Sequence, residues 1–147
     1  MAGHDFRLEQ VLKYRKEVEK MHQLELADAR QQQQSAQTRL QSEREAVDVL
    51  AREFSQRQLN GIEAKDLQLY SQFNRRKTRE ILEIKESLPV LEQVVQEKRE
   101  ALMTAAKEKK ALEVFKERKM RDLRMVQLGR ERAFLDEIAI QGRRNEK

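Results

Sequence analysis

The chain lacks cysteine and tryptophan, and it has one proline, four glycines, two histidines and two tyrosines in 147 residues. Without cysteine there is no disulfide framework and no thiolate site, which fits a reducing cytosol. His4 and His22 do not make a zinc site, so no metal and no cofactor is expected. Gly3, Gly61, Gly129 and Gly142 are too scattered for a phosphate-cradling loop, and no G-K-[ST] occurs. So few glycines and prolines argue against an all-β fold with its many turns. The opening MAGHDFRLEQ carries no hydrophobic region of a signal peptide, and no long apolar run follows, so no membrane-spanning segment is expected.

Charge and helix formers are what the chain does have. Ala, Glu, Lys, Leu and Arg make up 81 residues, or 55% of the chain, a composition typical of coiled coils and long helices. Hydrophobic residues are 38%, enough for a seam of two apolar positions in seven, roughly 29%. Such a supply, with five Phe and no Trp, is poor for a wide globular core. The balanced charge and the many Leu, Ile and Val argue against outright disorder.

Asn60-Gly61 is the strongest interruption, because both residue types tolerate positive φ in a turn. The pattern predicts helix 1 over about 8–59, a turn over about 60–64, helix 2 over about 65–140 and a frayed tail over 141–147, all in one domain spanning 1–147. Alternating steps of four and three run from Leu8 through Leu12, Leu26, Ala29, Leu40 and Val47 to Phe54, and nine of the fourteen positions are apolar, against about five expected from composition. A second stripe runs from Ile81 through Ile84, Leu88, Leu91, Val95, Leu102, Ala105 and Leu112 to Leu123 and Val126, with ten of fourteen apolar. Val11, Tyr14, Val18 and Met21 form an offset seam, as expected where a period near 3.6 drifts against a 3.5 repeat. Pro89 lies inside the second stripe without shifting its register, so a kinked but continuous helix is expected.

A turn near residue 60 makes the two helices antiparallel. Pairing Phe54 with Phe73 makes the numbers of facing residues total about 127, which sets Leu8 opposite Lys119. Beyond about residue 120 helix 2 has no partner in the hairpin. Leu123, Val126, Leu128, Phe134, Leu135, Ile138 and Ile140 then need a cover from another copy or another protein. Charge concentrates at the same place: residues 107–132 hold ten basic and five acidic side chains, net +5, while residues 1–74 are net −1.

Catalysis finds no support, since the 26 carboxylates read as solvated helix faces with i,i+4 partners and no concave pocket is indicated. The protein is therefore expected not to be an enzyme. His22 reads as a polar seam residue that sets register, and Gln31–Gln34 as solvated helix. The basic stretches Arg75–Arg79 and Lys107–Arg132 are interleaved with acids and lack a base-reading module, so no nucleic-acid partner is expected. Lys98, Lys109, Lys116 and Lys119 on the seam can bury their stems and send their ammonium groups outward. Phe54, Tyr70 and Phe73 either close the end of the hairpin core or protrude as an aromatic anchor.

FRLEQVLKYRKEVE at 6–19, NGIEAKDLQLYSQF at 60–73, FKERKMRDL at 115–123 and LDEIA at 135–139 follow one another in an order and spacing that resembles the flagellar FliJ family of the bacterial type III export apparatus. The resemblance implies an all-α, long antiparallel two-helix coiled-coil hairpin, similar to the central stalk of rotary ATPases. It implies a non-enzymatic stalk and adaptor in flagellum biogenesis, and hence chemotaxis, that promotes assembly of the hexameric flagellar export ATPase. The further partners it implies are the cytoplasmic domain of the export gate membrane protein and the export substrate chaperones. The implied location is cytoplasmic, peripheral to the inner membrane at the flagellar base, with no direct membrane insertion. By motif match the gate-binding surface falls on Glu43, Val47, Leu50, Phe54, Phe73, Lys77, Glu80 and Ile84. The ATPase-docking residues fall on Arg118, Leu123, Arg124, Glu131, Asp136 and Glu137. The competing readings are the equivalent stalk of a virulence-type type III secretion system and a generic homodimeric coiled-coil scaffold.

Overall fold

The computed structural model describes residues 2–145, with side chains over 7–145; the side chains of His4 and Phe6, and residues 146–147 of the expected tail, lie outside the described residues. Two helices make up the fold, α1 over Ala2–Asn60 and α2 over Ala64–Asn145. Both are longer than the apolar pattern indicates, because the pattern follows the seam while helix formation needs no seam. Gln and Arg, which fill much of the last turns of α2, are good helix formers, and Arg143 and Arg144 complement the negative end of the helix dipole.

Three residues join the helices. Gly61 has φ of 91° and its N–H donates to the Gln58 carbonyl at 3.4 Å, which closes α1 with a left-handed residue. Asn60 stays helical. The Glu63 carbonyl accepts from the N–H groups of Asp66 and Leu67, each at 3.1 Å, and starts α2, with Asp66 in the first turn facing the positive end of the dipole. Pro89 sits within α2 without breaking it. Its missing N–H and its ring are accommodated in a helix whose seam residues Ile84, Leu88 and Leu91 keep their shielding on both sides.

The helices pack against each other antiparallel, as an all-α two-helix hairpin coiled coil, and the packing falls into two compact units. The first unit holds residues 1–19 with 104–147, and the second holds residues 20–103. In the second, Leu26, Ala29 and Val95 form a buried cluster with Val94 and Leu102 packed on it, and Leu40 and Ile84 are also buried. In the first, Leu12 and Ala105 are buried, and Leu8, Val18 and Leu112 are half-buried. All fourteen α1 seam positions are shielded from solvent to some degree, as are the α2 positions from Ile81 to Lys119. The offset seam is not a seam: Val11, Tyr14 and Met21 are 44%, 60% and 48% exposed, and only Val18 is half-covered. A 3–4 register that is kept throughout leaves these residues beside the contact line.

Candidate functional site

Two regions hold the residues that the sequence marks for binding. Near the turn, within the second unit, the rings of Phe54 and Tyr70 stack with centroids 3.9 Å apart and planes 7° from parallel. Phe54 therefore meets Tyr70, not Phe73. A connection of only three residues, centred on Ile62, brings Phe54 level with Tyr70, whereas a longer turn would have brought it level with Phe73. Tyr70 and Phe73, three apart, share one face of α2. Together with Leu50, Phe54, Ile62 and Leu69 they line an open cavity of about 580 Å³, rimmed by Glu53, Arg57, Asp66 and Arg76. The Arg76 guanidinium and the Lys77 ammonium each lie 5.5 Å from the Phe73 ring centre.

Of the expected gate-binding residues, Leu50, Phe54 and Phe73 line this cavity, and Val47 is half-buried on the same seam. Glu43, Lys77 and Glu80 form a separate cluster. Lys77 Nζ lies 2.7 Å from Glu43 Oε2 and 3.3 Å from Glu80 Oε2. The hydrogen bond from Lys77 holds the Glu43 carboxyl below its ordinary pKa, and the hydrogen bond to Glu43 raises that of Lys77. Ile84 is buried in the seam, only 7% exposed. Ile62 and Leu69 escaped sequence reasoning: one is in the turn and the other off the stripe, so periodicity carries no signal for either.

Three more ion pairs join the helices with a carboxylate on α1 and a lysine on α2: Glu25–Lys98 at 3.3 Å, Glu19–Lys109 at 2.8 Å and Glu9–Lys116. Arg15–Glu108 runs the other way. The seam lysines Lys98, Lys109 and Lys116 thus turn to carboxylates of α1 instead of simply reaching water. Lys98 lowers the pKa of Glu25, and the hydrogen bond to Glu19 raises that of Lys109. His22 is half-buried with Nδ1 3.4 Å from Glu25 Oε2, a polar seam position as expected.

The other region is the C-terminal part of α2, in the first unit. Residues 121–145 are exposed throughout. Arg118, Leu123, Arg124, Glu131, Asp136 and Glu137, the expected ATPase-docking residues, are all at the surface there. Leu123 is the last seam residue near α1, sharing a cavity of about 140 Å³ with Leu8, Glu9 and Lys116. Beyond it, Met125, Val126, Leu128, Phe134, Leu135, Ile138 and Ile140 are each about half exposed or more. At about 100° per residue, Phe134 lies roughly 20° from Leu123, Leu135 about 120°, Met125 about 200° and Val126 about 300°. Apolar groups thus surround the helix on every side, with charges between them.

Among the described residues no helix is long and apolar enough to cross a membrane, and no three His, Asp or Glu side chains gather as a metal site. The arrangement is that of a helical hairpin with an aromatic groove near its turn and an exposed helical end. The chain belongs to the family of flagellar FliJ proteins, which it matches over residues 4–147. Membership associates it with flagellar type III protein export. No characterised individual protein and no solved structure matches the chain.

Proposed function

We propose that the chain is a non-enzymatic stalk and adaptor of the flagellar export apparatus, whose exposed C-terminal helix docks within the ring of the hexameric export ATPase and promotes its assembly. The observation that carries this is the helix over 121–145, exposed along its whole length, with apolar side chains on every side over 123–140 and charges between them. A helix with apolar groups all round is suited to burial on all sides, and the axial opening of a ring provides such a setting where a one-sided groove does not. Arg118, Arg124, Glu131, Asp136 and Glu137 supply charges of both signs for matching the walls, and Leu123 an apolar contact. Truncation after Lys119 should leave the paired helices intact and abolish stimulation of ATPase assembly. A truncated chain that stimulates as well as the full one rules out the C-terminal helix as the docking element.

The aromatic groove is the second half of the reading. Leu50, Phe54 and Phe73 offer half-covered apolar surface to the cytoplasmic domain of the export gate, with Val47 beside them and Glu43, Lys77 and Glu80 as a polar border. Ile84 contributes by holding the seam beneath. A link between ATPase, gate and substrate chaperones goes with work in the cytoplasm, peripheral to the inner membrane at the flagellar base.

A further inference from the structure

In an antiparallel two-helix coil the residues immediately before each seam position project to one side of the pair, and those immediately after to the other. In the first unit the two sides differ sharply. The following residues on α1 are Glu9, Lys13 and Lys16, and on α2 Lys110, Glu113 and Glu117 are among them. That side is mostly charged, as the flanks of a two-stranded coil usually are, with Ala106 and the exposed Met120 as its apolar members. The preceding residues on α1 include Val11, Tyr14 and Val18, and on α2 Ala111 and Phe115. Val11 is 44% exposed, Tyr14 60% and Phe115 56%, while Val18 is half-covered. Antiparallel pairing sets Val11 level with Phe115 and Tyr14 level with Ala111, in the register of the neighbouring pairs Glu9–Lys116 and Arg15–Glu108.

We infer that this flank is a docking site for a third helix, an amphipathic helix of another protein with an acidic border. Val11, Tyr14 and Val18 step by three and four, and Ala111 and Phe115 by four, so the two rows form a groove that the apolar face of one helix fills. The charge around the groove selects the acidic border. Arg7 and Arg118 lie on the same side, Lys107 and Arg121 stand behind, and residues 107–132 carry net +5. Glu108 is engaged by Arg15, which leaves Asp122 on this side and Glu17 behind against four cations. The apolar rows of the groove lie before the helix over 121–145 that is proposed to dock in the ATPase ring, and Arg118 borders both.

Two fluorescent peptides test this on the full-length chain: a designed amphipathic helix of Leu, Ala and Glu, and the same helix with Lys for Glu. Fluorescence anisotropy should show the acidic peptide binding at least tenfold more tightly than the basic one. The double change Tyr14→Ala, Phe115→Ala should weaken it at least tenfold with helix content unchanged, since both side chains are mostly exposed. Phe134→Ala with Leu135→Ala should change it less than twofold. No binding, equal binding of both peptides, or loss only with the Phe134 and Leu135 changes would each overturn the inference. So would a wild-type dimer in light scattering that Phe115→Ala converts to a monomer, because a second copy would then occupy the flank.

Discussion

The two units use the same helices and hold them by different means. The second unit buries Leu26, Ala29, Leu40, Ile84 and Val95 and adds two cross-helix ion pairs, Glu25–Lys98 and Glu43–Lys77. The first buries only Leu12 and Ala105 among the described residues, and three ion pairs, Glu9–Lys116, Arg15–Glu108 and Glu19–Lys109, join its helices. Apolar side chains are not scarce in the first unit. They stand outside, on the flank with Tyr14 and Phe115 and along residues 123–140. The difference separates a region that uses its apolar surface for its own packing from one that leaves much of it exposed.

The sharpest test of this contrast pairs a core change with an exposed one. Leu26→Ala should cost about 2–4 kcal/mol, visible as a large fall in Tm, because the methyl groups it removes pack on Ala29 and Val95. Leu135→Ala, at a site 63% exposed, should stay within about 0.5 kcal/mol. Equal effects would erase the distinction between the units.

Phe73→Ala comes next. Its ring is half-buried in the groove under Arg76 and Lys77, so the chain should remain helical while affinity for the gate domain drops at least tenfold, about 1.4 kcal/mol. Unchanged affinity in a folded variant removes Phe73 from the site. Gly61→Ala should cost about 1–2 kcal/mol through its left-handed φ alone, since nothing lies within 4 Å of the added carbon. No loss of Tm would mean that the turn relaxes to another geometry.

The legible part of the fold follows from what periodicity encodes. Seam positions declare themselves because they must be apolar or paired. Asn60-Gly61 declares the turn because a left-handed residue is needed there, and the uninterrupted stripe around Pro89 declares a continuous helix. The exposed end of α2 follows from simple counting of residues on each side of the turn. Helix ends carry no such signal, so α1 and α2 each run past the last patterned residue. The partner of Phe54 depends on turn length, which the dipeptide alone does not set. Val11, Tyr14 and Met21 mimic a seam because apolar residues at helical spacing look the same whether or not a facing helix covers them. The groove escaped in part because Ile62 and Leu69 meet Leu50 and Phe54 of α1 only through the closed turn.

Charge should separate the units more gently. The carboxyls of Glu25 and Glu43 have folded pKa values below the ordinary carboxylate range, so their stabilisation is full above an unfolded pKa of about 4.3 and is lost as pH falls through the folded values. Glu43→Gln should therefore flatten the acid limb of a Tm titration below about pH 5. An unchanged limb would mean that the pair with Lys77 does not contribute. Lys77 and Lys109 are raised, so their contribution is present below an unfolded pKa of about 10.4 and is lost as pH rises through the folded values. High salt should loosen the first unit more than the second, since exposed ion pairs are screened and buried leucines are not.

The proposed docking requires the C-terminal helix to be uncovered alone and enclosed when bound. Hydrogen exchange on the full chain, with and without the assembled export ATPase, measures this directly. Alone, amides over 121–140 should exchange faster than those of the paired stretches of α1 and α2, and those around Leu26 and Val95 slowest. With the ATPase, protection should appear across all of 121–140, with no periodicity of one helix face. Protection confined to one face, to the groove near the turn, or absent altogether would contradict enclosure within the ring.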